Sequence, residues 1–242
     1  MASEYLMWKY RDVQPDKPVE LTPGQKRANW WYYHKWYVLL GVGLLALGTY
    51  LGARALGVGQ VRPDYQVAYV GTSALPEETA AALEAALADL GSDCNGDGQV
   101  IVQLNQYVMG DSSGEGAVYS YAGSTKLMAD LEACDSYFFL LEDPEAFQAN
   151  YQILRRLDGS LPEETDQDYE SCCLPWSGCP VLQELPLGAY SEKILAHEIH
   201  GDSQERLSSL SVARRGFWTE HTSQYSEACD ALWDAITRGS DQ

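Results

Sequence analysis

The chain lacks the short motifs by which most enzyme classes are recognised. It contains no His-Glu-x-x-His zinc motif and no Gly-x-x-x-x-Gly-Lys-Ser/Thr phosphate loop. No cysteine and histidine occur in a context typical of a catalytic pair. These absences favour noncovalent recognition over catalysis.

Basic residues are scarce after residue 56. Only nine of the 16 lysines and arginines lie there, against 31 of the 35 acidic residues, so residues 57–242 carry a net charge of −22. Such a surface repels phosphate backbones and anionic lipids, and we expect no nucleic-acid partner. Cations and basic partners stay open, as does the simpler interpretation that the acidic residues only keep the protein soluble.

Long hydrophobic runs are limited to one. The aromatic cluster Trp30–Tyr37 leads directly into the uncharged stretch Val38–Leu51. Tryptophan and tyrosine collect at membrane interfaces, so we predict one transmembrane helix over 36–56, between a head of residues 1–35 and an extracytoplasmic body of residues 57–242. The lysines and arginines of the head place it in the cytoplasm by the positive-inside rule.

Two further possibilities concern this anchor. Ala53 and Ala55 flank Arg54 in a pattern that fits a cleavage site, so a signal peptide removed after Ala55 is the main alternative, although its polar leader of 35 residues is unusually long. Gly48 and Gly52 form a Gly-x-x-x-Gly pair, which predicts a homodimer through the helix.

Cysteine is absent from the first 93 residues. All six cysteines lie in the body, which is the distribution expected if the body meets an oxidising compartment. Their pairing cannot be deduced from spacing. Cys172, Cys173 and Cys179 lack the paired spacing of a zinc ribbon, so a local disulfide or free thiols are favoured over a metal.

Alternating patterns in the body predict an α/β fold, namely a mostly parallel, three-layer domain. Predicted strands are Tyr65–Val70, Gln99–Tyr107 and Ser136–Leu141, and predicted helices begin near Glu77, Ala117 and Pro144, the last reaching Leu157. We interpret 158–180 as a cysteine-containing surface insert. Further along, 181–185 is predicted to return to the sheet, 207–217 to form a strand and 219–238 to form an amphipathic helix.

A possible calcium loop follows the first predicted body helix. Asp93, Asn95, Asp97 and Gln99 match the opening positions of a calcium-binding loop, with Gly98 near the sharp turn. Position 12 of that loop is Leu104 instead of an acidic ligand. We therefore favour a helix-to-strand turn built from Asn-Gly and Asp-Gly over a calcium site.

Histidines offer a weaker metal hypothesis. His197 and His200 are three residues apart, and Glu220 with His221 would complete a cluster only if the fold brings them together. This set would suit a metal-dependent hydrolase, but a surface histidine pair is the favoured interpretation.

The order of patterns in the body resembles one lobe of an extracytoplasmic, two-lobed solute-binding protein. The likeness covers Tyr65–Val70, Gln99–Leu104 and the segment from Leu127 to Phe147. It implies a ligand cleft at Leu141, Glu142 and Asp143, and a small-molecule or protein partner. The chain is shorter than a complete two-lobed binder. Arg214 and Arg215 would either receive an anionic group there or neutralise nearby carboxylates.

The head also carries a resemblance. Lys9–Asp16 and Asn29–Trp36 are similar to single-span membrane proteins of anaerobic Gram-positive bacteria. That similarity brings no activity with it. An assembly partner in a cell-envelope complex is therefore the alternative function, with Gly48, Gly52 and the acidic surface as its contact regions.

Overall fold

The computed structural model describes residues 20–55, 62–110, 115–161, 167–194, 197–217 and 223–240. These residues belong to two compact units, Met1–Val61 and Arg62–Gln242. The predicted calcium and cleft residues all lie within the described ranges, whereas Glu220, His221 and most of the head lie outside them.

The amino-terminal unit contains one long helix, α1, spanning Pro23–Ala55. A capping box starts it: Gln25 N–H donates to Thr22 Oγ1 and Thr22 N–H donates to Gln25 Oε1. It is the one helix among the described residues that is long and apolar enough to cross a membrane. Large apolar side chains such as Trp36, Leu40 and Leu45 are mostly exposed, so no protein core accounts for their hydrophobicity.

The carboxyl-terminal unit is a mixed α/β fold around a five-stranded sheet. The strands are β1 (Tyr65–Gly71), β2 (Val102–Val108), β3 (Phe138–Leu141), β4 (Cys173–Pro175) and β7 (Ser211–Arg214), in the spatial order β2-β1-β3-β7-β4. β1 pairs in parallel with both β2 and β3, while β7 is antiparallel to β3 and β4. Four of the five strands therefore run in one direction, as the sequence predicts. The strands β5 (Ala189–Ile194) and β6 (His197–Asp202) form a separate antiparallel hairpin.

The described part of this unit also contains six α-helices. They are α2 (Glu77–Leu90), α3 (Glu115–Ala133), α4 (Pro144–Tyr151), α5 (Pro180–Gln183), α6 (Ser203–Leu207) and α7 (Ser226–Ile236). The first crossover, through α2, leads from β1 to β2, and the second, through α3, leads from β2 to β3 on the other side of β1.

Alternate residues of the strands enter two separate buried clusters. Val67 and Tyr69 of β1 pack in a cluster to which α2 contributes Leu83 and α7 contributes Trp233. The intervening residues of β1, such as Ala68, belong to a second cluster with residues of α3 and α4. This division follows from the two-residue period of a strand, and it explains why SYFFLL is apolar at every position from Tyr137 to Leu141.

Several predicted boundaries differ from the structure. α4 ends at Tyr151 instead of Leu157, because Gln152 adopts a left-handed conformation with φ 53° and Leu154 then bridges to Arg215. The sequence predicts that 181–185 return to the sheet. Instead, 180–183 form the short helix α5, which starts at Pro180. The predicted strand over 207–217 is reduced to β7, since α6 ends at Leu207.

The predicted surface insert is also different over 172–179. Cys172, Cys179 and Trp176 are fully buried, and β4 is an edge strand of the main sheet. Proline and acidic residues suggested a surface loop, but the apolar residues 172–176 supply the last strand and part of the core. Residues 162–166 of the segment lie outside the described residues.

Both edges of the main sheet carry features that hinder further pairing. At the β2 edge, Glu84 of α2 accepts a hydrogen bond from the Leu104 N–H at 2.7 Å. At the other edge, β4 has only three residues and ends with Pro175, which has no N–H to donate.

Candidate functional site

A candidate site lies where β1 and β3 end. The connection leaving β1 turns toward β2, and the chain that returns from β2 passes to the opposite side of β1 before forming β3. The connections that follow two such strands run in opposite directions and leave a crevice between the carboxyl ends of the strands. Open α/β sheets bind their ligands in crevices of this kind.

A pocket of about 200 Å³ occupies this crevice. Val70 and Gly71 from the end of β1, and Phe147 from α4, form its inner part, and Tyr151 and Met109 flank it. Thr72, Glu142, Asp143, Ala146 and Asn150 complete the lining. We call this the switch-point pocket. Its volume lies below the roughly 300–1,000 Å³ of sites for drug-sized molecules, which suits a ligand of metabolite size.

Glu142 ties the two strand ends together. Its Oε2 accepts hydrogen bonds from the Thr72 N–H at 2.7 Å and the Thr72 hydroxyl at 2.8 Å, and its Oε1 accepts one from the Tyr69 hydroxyl at 2.7 Å. The Arg206 guanidinium lies 3.6 Å from Oε1. Burial alone would raise the pKa of Glu142, but these hydrogen bonds and the Arg206 charge outweigh it, so the pKa is lowered. Glu142 is thus held as a satisfied carboxylate.

Gly71 allows this approach. A Cβ at position 71 would lie 2.8 Å from the Glu142 carboxyl carbon and would also collide with the Tyr69 hydroxyl. Any larger residue would force Glu142 and Tyr69 apart, so the strand end requires glycine for the close contact.

Asp143 plays a different part at the start of α4. Its Oδ1 accepts a hydrogen bond from the Ala146 N–H at 2.9 Å, and Pro144 follows at the first helical position, where its missing N–H costs nothing. Asp143 is exposed, in contrast to Glu142, and no cation lies within ion-pair distance of it among the described residues. Within the described part of the chain, one oxygen of the Asp143 carboxylate therefore has no partner.

The aromatic residues of the pocket are ordered by contact with each other. The Phe147 and Tyr151 rings have centroids 4.9 Å apart, and Phe147 also packs against Phe139 of β3. Burial raises the pKa of Tyr151, so its hydroxyl stays neutral at physiological pH. The inner part of the pocket is apolar and its rim is acidic.

Of the predicted cleft residues, the structure brings only Glu142 and Asp143 to this pocket. Leu141 is fully buried within β3 and is not part of the lining. Arg214 pairs with Phe138 in the sheet register while Leu141 pairs with Ser211, so Arg214 and Arg215 lie toward the opposite end of β3.

The two arginines bind carboxylates of the protein itself. Arg214 Nη1 lies 3.1 Å from Asp230 Oδ1, and Arg155 Nη1 approaches the same oxygen at 3.2 Å. Arg215 is almost completely buried, donates from Nε to the Ser136 carbonyl at 2.7 Å and has its Nη2 3.7 Å from Asp130. This arrangement matches the interpretation in which the arginines neutralise nearby carboxylates.

The loop with the calcium-like pattern is a helix-to-strand turn held by its own side chains. Asp93 accepts hydrogen bonds from Gly96 N–H at 2.6 Å and Gly98 N–H at 2.8 Å, and the two glycines have φ of 76° and 86°. Asn95 and Asp97 each accept from the backbone N–H two residues later. The hydrogen bonds from the Gly98 and Gly96 N–H groups lower the pKa of Asp93. Gln99 contributes its N–H to Asp97, and calcium binding by these four residues stays a prediction.

The histidine hypothesis gains little from the fold. Residues 197–202 form the strand β6 instead of a helix, and His200 Nε2 lies 4.0 Å from Glu198 Oε1 at the exposed surface. Among the described residues there is no group of three or more histidine, cysteine or acidic side chains placed to hold a metal ion.

None of the six cysteines forms a disulfide in the structure, and five of the six are buried. Burial raises the pKa of Cys173 to about 12 and that of Cys179 to about 11. Within the carboxyl-terminal unit they act as small apolar core residues.

Sequence reasoning missed most residues of the site, among them Gly71, Thr72 and Arg206. The first two follow directly after a predicted buried strand, and the Gly-Thr-Ser sequence there was a usable signal for a strand-end site. Arg206 comes from α6, far along the chain, and nothing local marked it.

Comparison of the chain with protein-family models, with curated proteins and with solved structures gives no match. The switch-point pocket and the apolar helix are therefore the features that point to a function.

Proposed function

We propose that this is a single-pass membrane protein whose carboxyl-terminal unit binds a small solute noncovalently in the switch-point pocket. The observation that carries the proposal is the position of that pocket, between the carboxyl ends of β1 and β3 where the chain reverses its direction across the sheet. The likeness of the body to one lobe of a solute-binding protein agrees with this role.

The proposed architecture has three layers. The cluster containing Leu83 and Trp233 covers one face of the sheet with α2 and α7, and the cluster containing Leu127 and Phe147 covers the other with α3 and α4. Right-handed crossovers on either side of β1 put α2 and α3 on opposite faces, which supports this arrangement.

The proposed topology has the head in the cytoplasm and the acidic unit outside the cell membrane. Lys26, Arg27 and Lys35 lie at or before the start of the apolar stretch of α1, and Arg54 is the only basic residue in its last turn. Cysteine substitutions test this in a Cys94→Ser background. We expect an impermeant maleimide to label Glu227→Cys on intact cells, and Glu20→Cys only after permeabilisation. The reverse pattern contradicts the orientation, and a labelled body lacking the first 55 residues indicates a cleaved signal peptide.

Ligand binding is tested on the full chain in detergent micelles by a thermal-shift screen. Amines, amino acids, sugars, organic acids and short peptides form the panel. A ligand at 100 times its Kd stabilises the native state by about 2.7 kcal/mol, which raises the Tm of a domain of this size by roughly 5–10 °C. Ala146→Phe fills the pocket and should abolish the shift, whereas Ala149→Phe, on an exposed position of the same helix, should retain it.

An assembly role is the second candidate. Gly41, Gly48 and Gly52 of α1 have open space where a Cβ would be added, so a second helix can approach closely along that face. No thermal shift with any panel member, together with cross-linking of the full chain through α1, would favour assembly over solute binding. A zinc-dependent hydrolytic activity lost in His200→Ala would favour the weaker alternative of a hydrolase.

A further inference from the structure

The charge distribution of the switch-point pocket specifies the class of its ligand. We propose that the pocket binds an organic cation, specifically a protonated primary amine with a short apolar body. This inference depends on the proposed solute-binding function and adds the chemical class of the solute to it.

Two of the backbone donors that could hold an anion at the pocket are already used. Ligand sites at strand ends of α/β proteins often hold phosphate or carboxylate groups on backbone N–H groups and on helix N-termini. Here Glu142 already accepts the Thr72 N–H and Asp143 already accepts the Ala146 N–H. Pro144 has no N–H. The protein's own carboxylates therefore already use two of the N–H groups that an anionic ligand would bind.

The charges at the rim come from Glu142 and Asp143. Glu142 is compensated by Arg206 at 3.6 Å, and Arg206 also donates to the Ser73 hydroxyl at 2.7 Å. Asp143 has no such cation among the described residues. Glu170, burial, Glu145 and Asp143 raise the pKa of the nearby Tyr169, which indicates that several carboxylates act on the same side of the unit. The rim thus has a net negative charge.

The lining of the pocket also restricts the shape of the ligand. An ammonium group at the rim would meet the free oxygen of Asp143, and Asn150, whose Nδ2 donates to the Ala146 carbonyl at 2.7 Å, keeps its amide oxygen as a second acceptor. The apolar part of the lining includes Val70, Met109 and Phe147. The paired Phe147 and Tyr151 rings offer both apolar contact and a cation–π partner. A cavity of about 200 Å³ accommodates only a short body behind the charge.

Three probes of matched shape test this class on the full chain in detergent micelles: n-butylamine, n-butanol and butyrate. We expect n-butylamine at pH 7 to raise the Tm of the wild-type protein, and butanol and butyrate to do so much less. The Kd for n-butylamine measured by calorimetry should increase about tenfold or more in Asp143→Asn. Asparagine is itself a good N-cap, so this substitution removes the charge while preserving the start of α4.

Glu145→Gln serves as the matched control, because Glu145 is an exposed neighbouring carboxylate that is not part of the pocket lining. It should leave the affinity within about twofold, as expected for screened surface charges. A weakening by Glu145→Gln equal to that by Asp143→Asn would show a general charge effect and overturn the assignment of Asp143.

The possible failures are distinct. Stabilisation by butyrate that persists in Asp143→Asn and disappears in Ala146→Phe overturns the cationic class but keeps the pocket as a solute site. Stabilisation by butylamine that survives Ala146→Phe places the amine elsewhere and overturns the inference. If all three probes and the wider panel leave the Tm unchanged, both the inference and the proposed solute-binding function fail.

Discussion

The Glu142 carboxylate accepts hydrogen bonds from both the backbone N–H and the hydroxyl of Thr72, at 2.7 and 2.8 Å. These two residues are 70 positions apart in sequence and terminate neighbouring parallel strands. One side chain therefore fixes the separation of the two strand ends between which the pocket opens. Its charge, its partners and the glycine beside it lead to separate predictions.

Glu142→Gln should destabilise the unit in a pH-dependent way. The pKa of Glu142 is lower in the folded state than its ordinary value of 4.5, so its ionisation stabilises the folded state above that pH and this contribution is lost as the pH falls through the folded pKa. At pH 7 we expect a loss of about 1–3 kcal/mol, because hydrogen bonds to a charged group are replaced by weaker ones. Urea denaturation at pH 7 and at pH 3 measures the difference between wild type and variant.

The sign of this effect is specific. The stability difference should be largest at neutral pH and should shrink toward pH 3, because below pH 4.5 the unfolded chain binds a proton at Glu142 more readily than the folded chain does. A difference that stays constant over this range would show that the negative charge of Glu142 is not what joins the strand ends.

Gly71→Ala should also destabilise the unit, by about 1–3 kcal/mol, because the added methyl group would lie against the Tyr69 hydroxyl and the Glu142 carboxyl group. Gly110→Ala is the matched control, since its nearest neighbour, the Thr72 carbonyl oxygen, is 3.4 Å away. Chemical denaturation compares the two variants. An equal effect of both substitutions would contradict the specific steric role of Gly71.

The two arginines that pair with carboxylates should differ sharply in their contribution to stability. Arg215→Met leaves Asp130 buried without its cation, which should cost about 3–5 kcal/mol, whereas Arg155→Met breaks a partly exposed pair and should cost about 1 kcal/mol or less. The double variant Arg215→Met/Asp130→Asn should recover part of the loss, because it removes the unpaired charge. Similar costs for Arg215→Met and Arg155→Met would contradict the burial of the Arg215 pair.

Thiol reactivity should separate Cys94 from the other cysteines. Cys94 is partly exposed, while Cys172, Cys173, Cys179 and Cys229 are almost completely buried. A thiol reagent such as DTNB should therefore modify about one cysteine quickly in the native protein and all six after unfolding in guanidinium. Disulfides found by mass spectrometry of the unreduced protein would contradict the structure, in which the six cysteines form none.

The fold was more accessible to sequence reasoning than the site. Alternation of apolar strands with helical patterns correctly indicated a mixed α/β unit, because a strand buried on both faces has a distinctive run such as Tyr137–Leu141. The segment 172–179 was missed because a three-residue edge strand has no periodicity to detect. Glu142 and Asp143 were identified, but their partners Thr72 and Arg206 depend on contacts between distant parts of the chain. The separation of Arg214 from the cleft depends on the antiparallel register of β7, which no local pattern encodes.

The protected edges of the main sheet would matter if α1 anchors the protein in a membrane, as proposed. Anchored molecules share a plane and meet often, and an open strand edge would let the sheet of one molecule continue into that of the next. An incoming strand at β2 must displace the charged Glu84 from the Leu104 N–H, and at β4 it finds a short strand that ends in proline. Under the proposed topology, the unit could therefore be crowded at a cell surface without polymerising through its backbone, and contacts between copies would be left to side chains.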